Sequence, residues 1–296
     1  MNKGVWYAIV AYTIWGLFPI YWKLLQAVPA LQLIGHRIGW SFLLLLIFIV
    51  LTRQWRAFRA VAFERRTLGI YAVAGVLVSL NWLVYVWAVN AGFVVEASLG
   101  YFINPLLSVL LGVLFLRERL RALQWLPVAL ATAGVVIVSF AYGSFPLIAV
   151  TLALTFGLYG LVKKQAPLGS LYGLTLETGI LFIPALLYLL FVDSLGQGAF
   201  LHTDLSSNLL MMGAGVVTTI PLLLFSSAAR RIPLALIGIL QYITPTLQFL
   251  LGVLVYREAF TPAQFVGFGL VWVALIVFSA EGFLARRAQP ILSPAD

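Results

Sequence analysis

Ten uninterrupted apolar runs fill this 296-residue chain, at about residues 4–24, 31–51, 68–89, 96–116, 123–141, 145–162, 171–191, 208–229, 233–256 and 262–281. Each is close to the ~20 residues that a helix needs to cross a hydrocarbon core. Inside lipid no water can satisfy backbone polar groups, so only helices and closed barrels cross it. Barrel strands alternate apolar and polar residues over about ten positions. These runs are continuous, so the expected spans are helices. Composition leads the same way, with 63% hydrophobic and 9% charged residues and a mean hydropathy of +1.07. A soluble chain carries about 25% charged residues. A soluble enzyme and a disordered chain are both excluded. The first run opens at Asn2–Lys3 with no small-residue cleavage site, so it is expected to stay as a span rather than be removed.

The basic residues set the expected sidedness. One set of alternate connectors holds Lys3, then Arg53, Arg56, Arg59, Arg65 and Arg66, then Arg117, Arg119 and Arg121, then Lys163 and Lys164, then Arg230 and Arg231, then Arg286 and Arg287. The opposite set holds Lys23 and Arg257, and Arg37 falls inside a run. Positive charge is retained in the cytoplasm, so both termini are expected there. The net charge of +9 then reflects orientation in a membrane, with no nucleic-acid partner. The chain has no cysteine and two histidines, His36 and His202. Thiolate chemistry is excluded, and no metal or cofactor is expected.

The chain also repeats itself at an offset near 140 residues. YFINPLLSVLLGVLFLRE, Tyr101 to Glu118, aligns without gaps on QYITPTLQFLLGVLVYRE, Gln241 to Glu258. WGLFPIYWK ending at Lys23 resembles FGLYGLVKK ending at Lys164. Each copy holds five spans, an odd number, so the second copy enters the membrane from the opposite face. The expected fold is an all-α integral membrane protein of ten transmembrane helices in two inverted five-helix repeats. The first covers residues 1–141 and the second 142–284, with a short cytoplasmic tail at 285–296. Inverted repeats place a substrate site near the midplane, between halves that rock.

AYTIWGLFPIYWKLL (Ala11 to Leu25), HRIGWSF (His36 to Phe42), NWLVYVWAVN (Asn81 to Asn90), EASLGYFINPL (Glu96 to Leu106) and QYITPTLQFLL (Gln241 to Leu251) resemble the drug/metabolite transporter superfamily. Within it the chain is similar to the EamA family, and more narrowly to RarD-type permeases, over essentially its whole length. That resemblance implies a pseudosymmetric carrier in a bacterial inner membrane. RarD-type proteins are associated with chloramphenicol sensitivity, and some EamA relatives export amino acids or other small metabolites.

Polar side chains at helical spacing mark the candidate site. Tyr101, Asn104 and Ser108 share one face of the fourth span, and Gln241, Thr244 and Gln248 hold the matching places in the ninth. They suit contact with cargo, and equally hydrogen bonds between helices. Pro105 and Pro245 each remove a backbone donor and are read as helix breaks, with a passive kink as the alternative. Tyr12 and Trp15 in the first span, with Asn81, Trp82 and Tyr85 in the third, supply an aromatic wall for an amphipathic cargo. Trp6, Trp40 and Trp272 are read as anchors or lipid-facing residues.

Charges within spans are costly and mark function or forced neutralisation. Lys164 is expected to pair with Glu177 near the cytoplasmic mouth. Lys23 or Arg37 is expected to pair with Glu96 outside, the two pairs closing alternate gates. Glu96, Glu177 and His36 are the groups available for proton coupling, and uncoupled exchange stays open beside it. The expected activity is secondary transport of a small amphipathic or zwitterionic solute, amino-acid-like or amphenicol-like, by alternating access, in the direction of export. An uncoupled facilitator or channel and a polytopic membrane enzyme are the competing readings, and the oligomeric state is open, a monomer being compatible. The enzyme reading lacks a metal cluster, a paired aspartate or a nucleophile–base motif.

Overall fold

The structure is a computed structural model that describes residues 2–90, 94–142, 147–257 and 262–287. Its regular elements are α1 (Lys3–Lys23), α2 (Ala30–Leu51), α3 (Trp55–Ala62), α4 (Arg65–Asn90), α5 (Val94–Leu116), α6 (Trp125–Tyr142), α7 (Leu147–Gln165), α8 (Ser170–Ser194), α9 (Leu205–Ala229), α10 (Leu234–Gln241), α11 (Ile243–Leu250) and α12 (Pro262–Arg287). No strand occurs among the described residues.

Seven stretches among them are long and apolar enough to cross a membrane: α1, α2, Arg65–Tyr85 of α4, α7, α8, α9 and the combined Leu234–Val255. Three shorter apolar helices accompany them, at Gly100–Leu116, Ala122–Ile137 and Phe265–Phe278. Large apolar side chains such as Leu114, Phe115, Phe140, Leu187 and Ile276 point outward. Water would penalise that surface and lipid tails do not.

Local chemistry sets the ends. The Asn2 side chain accepts from the Gly4 amide at 2.9 Å and caps α1, and Asp204 does the same for α9 from Ser207 at 3.0 Å. Hydrogen bonds from Ser206 and Ser207 hold the Asp204 carboxyl well below the usual carboxylate range. Arg117 ends α5 with a left-handed backbone at φ 54°, and the Glu118 amide reaches back to the Gly112 carbonyl at 3.0 Å. Arg257, at the matching place in the second copy of the repeated segment, has the same φ of 54°.

Small residues let helix backbones meet. Gly215 of α9 lies against the backbone of Trp40 and Ser41 in α2, and the Ser41 hydroxyl donates to the Gly215 carbonyl at 3.1 Å. Gly238 of α10 lies against the Pro105 carbonyl of α5. The helix pairs in closest contact are α5 with α7 and α10, α1 with α9 and α11, α2 with α8 and α9, α4 with α7 and α8, and α6 with α12.

One element departs from the sequence expectation and two others refine it. The connector after α2 contains a surface helix, α3, whose Phe58 and Ala62 are buried with Ile49, Tyr71 and Leu168, while Arg56 and Arg59 are exposed. A run of eight residues is too short to span, and its arginines mask an apolar face repeating every three to four positions. The ninth apolar run is broken into α10 and α11 and closes with a π turn at Leu251–Val255. α12 continues as helix to Arg287. Trp272 is not simply lipid-facing, because its indole donates to the Thr246 hydroxyl at 3.1 Å.

Candidate functional site

A cavity of about 370 Å³ lies between α1, α2, α4, α5, α7, α9, α10 and α11. Its inner wall is Tyr12, Trp15, Asn104, Phe156, Leu222 and Gln241, and its lining runs out past Phe18, Trp22 and Leu33 to Leu25, Gln26 and Val28 in the α1–α2 connector. Gln26 is exposed. The size suits a small organic molecule.

Of the residues singled out in the sequence, Tyr12, Trp15, Asn81, Trp82, Tyr85, Tyr101, Asn104, Gln241, Thr244 and Gln248 all line this cavity. Ser108 does not; it is buried, with its Cβ against Gly238. The polar groups divide into two kinds. Asn81 donates to the Leu152 carbonyl at 2.8 Å and to the Thr155 hydroxyl at 3.0 Å. Thr244 donates to the Tyr12 carbonyl at 2.9 Å, and Gln248 to the Trp15 carbonyl at 3.3 Å. These three bridge helices. Tyr12 Oη, Asn104 Oδ1 and Gln241 Oε1, by contrast, are buried without a partner among the described residues. A buried oxygen in that state calls for a donor from water or from a bound molecule.

The aromatic wall is continuous. The Trp15 ring lies 5.6 Å from Tyr12, 5.8 Å from Phe156 and 5.7 Å from Phe225, and Tyr85 meets Tyr101 edge-on at 5.7 Å. The two prolines behave differently. α5 runs unbroken through Pro105, so the expected break there is absent. Pro245 stands four residues after Gln241, where α10 ends. Its ring removes a donor and crowds the Gln241 carbonyl, so the break falls one turn upstream.

The charged residues are arranged otherwise than expected. Lys164 does not meet Glu177. The partner of Glu177 is Lys163, whose Nζ is 2.5 Å from Oε1, with both side chains at most 2% exposed. Tyr159 donates to the other Glu177 oxygen at 3.2 Å. Successive helical residues point about 100° apart. Tyr159 and Lys163, four apart, therefore share the face towards α8, and Lys164 turns away. Lys164 donates to the Ile232 carbonyl at 2.7 Å and lies 3.7 Å from Glu118. Glu118 accepts from the Leu234 and Ala235 amides at 2.7 and 2.9 Å, tying the end of α5 to the start of α10. Sequence reading passed over Lys163 and Glu118. The four-residue spacing from Tyr159 and the repeated Arg-Glu pair were the signals for them.

At the other end, Lys23 Nζ sits 3.6 Å over the Tyr256 ring. His36 packs on Phe200 with ring centroids 5.0 Å apart, outside the cavity lining. Arg37 lines the cavity and donates from Nε to the Thr218 hydroxyl at 3.0 Å. The Glu96 side chain, its expected partner, lies outside the described residues.

The basic end is sealed. Between the cavity and Lys163 lies a packed cluster that includes Ala8, Ala11, Leu111, Tyr159, Phe225, Ala228 and Leu234. Below it, Arg230 donates to the Ala166 carbonyl at 2.9 Å and also to that of Leu168. The arrangement can hold a small molecule, and among the described residues the packing closes its Lys163 end. No group of three or more potential metal ligands occurs among the described residues.

Comparison with known proteins adds the following. The EamA-like transporter family matches residues 2–140 and again 144–280. The chain is 48% identical to the "Uncharacterized transporter YojE" of Bacillus subtilis over 97% of each chain. It is 44% identical to "Protein RarD" of Salmonella typhi, covering 97% of this chain and 98% of that one. It is 32% identical to "Chloramphenicol-sensitive protein RarD" of Pseudomonas aeruginosa over 97% of each chain. A solved crystal structure of a protein 21% identical in sequence superposes with a TM-score of 0.69, covering 97% of this chain and 99% of its own; that is a likeness of fold alone.

Proposed function

We propose, from the premise that this chain belongs to the EamA-like transporter family, that it carries a small amphipathic solute across a bacterial inner membrane by alternating access. The observation that carries the reading is a lined cavity that reaches the α1–α2 connector and is sealed towards the basic end. A channel needs a continuous polar path, and the packed cluster around Tyr159 and Phe225 interrupts one. A carrier needs one closed end at a time.

Ten spans in two inverted repeats are the frame of this reading, with residues 1–141 and 142–284 as the halves. The double family match supports it. So does the pairing of helices. Exchanging α1 with α7, α2 with α8, α4 with α9, α5 with α10–α11 and α6 with α12 turns the set of closest pairs named above into itself. Equivalent helices also run antiparallel where they touch. Gly35 meets Leu189 while Phe42 meets Gly179, Pro105 meets Gly238 while Gly112 meets Ala235, and Gly134 meets Gly267 while Arg121 bonds Glu281 at 2.9 Å. Two copies facing the same way would pair in parallel.

With the basic connectors in the cytoplasm, both termini are cytoplasmic and the cavity faces outward. The Lys163–Glu177–Tyr159 cluster and the Glu118 contact then form the closed cytoplasmic gate. Tyr12, Asn104 and Gln241 offer polar contacts to cargo, and Trp15, Trp82, Tyr85 and Tyr101 its apolar wall. Export is the proposed direction.

Two measurements test this. A reporter fused after Ala199 is expected on the outer side; a cytoplasmic signal there would reverse the orientation. In liposomes holding the purified chain, uptake of a labelled solute is expected to saturate and to rise when the same solute is preloaded inside. Linear, unstimulated flux would remove the carrier reading.

A further inference from the structure

Arg37 is the only charged side chain among the described residues that line the cavity. Its Cζ lies 4.3 Å from the centroid of Trp82 and 4.7 Å from that of Trp22. Nε is engaged by a neutral hydroxyl, that of Thr218. Rings and a hydroxyl orient a guanidinium without neutralising it. No carboxylate lies within ion-pair distance of Arg37 among the described residues. An ionised group inside a span is retained for a partner it meets there. With Nε held, the terminal nitrogens present the planar fork that matches a carboxylate. Deeper in the same cavity the unpartnered oxygens of Asn104 and Gln241 are acceptors, suited to an N–H or O–H on the same molecule.

Resting on the carrier reading above, we infer that the cargo is a small amphipathic monocarboxylate, its anion on Arg37 and its apolar body against the Trp15, Trp82 and Tyr85 rings. A neutral amphenicol lacks the group that Arg37 would recognise, and a cation would be repelled.

The test uses the full chain in detergent with matched pairs of probes: phenylacetate against phenylacetamide, and indole-3-acetate against indole-3-acetamide. Tryptophan fluorescence reports on the site for the phenyl pair because Trp22 and Trp82 flank Arg37, and thermal shift reports for both pairs. The acids are expected to saturate at least about tenfold more tightly than the amides. Arg37→Gln is expected to erase that difference, and Arg37→Lys to keep part of it, because lysine is a point charge without the fork. Equal binding of acid and amide by the natural chain, or no saturable effect of either acid, overturns the inference whether or not the variants fold. An acid preference that survives Arg37→Gln overturns it too. Saturable counterflow of a neutral solute with no preference for acids would overturn the carboxylate assignment and leave the carrier standing. Acid-selective binding with no counterflow would keep the Arg37 site and remove the carrier.

Discussion

Replacing Glu177 by glutamine is expected to destabilise the folded protein by about 3–5 kcal/mol, because the Lys163 ammonium is then left buried without a counter-charge. The Lys163 and Glu177 side chains are 2% and 1% exposed, so water cannot take over. Lys163→Met should cost a similar amount, leaving the carboxylate with the Tyr159 hydroxyl alone. The double variant Lys163→Met/Glu177→Gln should recover most of the loss, since both charges go together. Thermal or denaturant unfolding in detergent gives the three values, and additive losses would refute the coupling. The double variant also separates gating from passive neutralisation. If the pair must break and re-form as the halves rock, a stable double variant loses counterflow. If the pair only neutralises unavoidable charge, counterflow persists.

The second large effect is expected at the α5–α10 crossing. A Cβ on Gly238 would run into the Pro105 carbonyl oxygen and stand 3.0 Å from Ser108 Cβ. The first is backbone and cannot swing aside, so Gly238→Ala forces the helices apart, at a cost of about 1–3 kcal/mol. Asn104 and Gln241 lie within about a turn of this contact, so the inner end of the cavity should widen and cargo affinity fall with stability. Gly39→Ala and Gly69→Ala are the controls, because a Cβ at either meets nothing within 4 Å. In helices these are expected to be neutral or to stabilise by up to about 1 kcal/mol. A Gly238→Ala protein as stable as the controls would show that the crossing has room to spare.

Much of the fold was legible because lipid as solvent imposes length and apolarity on every span. The 140-residue repeat made the correspondence of Pro105 with Pro245 readable from letters alone. The helical spacing of Tyr101 with Asn104, and of Gln241 with Thr244, picked out faces that line one cavity. The charges were less legible. Lys163 and Lys164 are adjacent and identical, and sequence symmetry favoured the wrong one. The amphipathic α3 was hidden among arginines read as connector.

The sequence by itself determined the solvent and the helical class, because hydrogen-bond satisfaction in hydrocarbon leaves continuous apolar runs no other choice. It also carried the family, through its repeated motifs. The tertiary structure decided how each helix is rotated. In water an apolar stripe marks the inward face, but here the lipid side and the packed side are both apolar and the stripe vanishes. Which lysine meets Glu177, that Arg37 faces the cavity, and at which end that cavity opens all depend on rotation about helix axes, and only packing of whole helices against one another sets it.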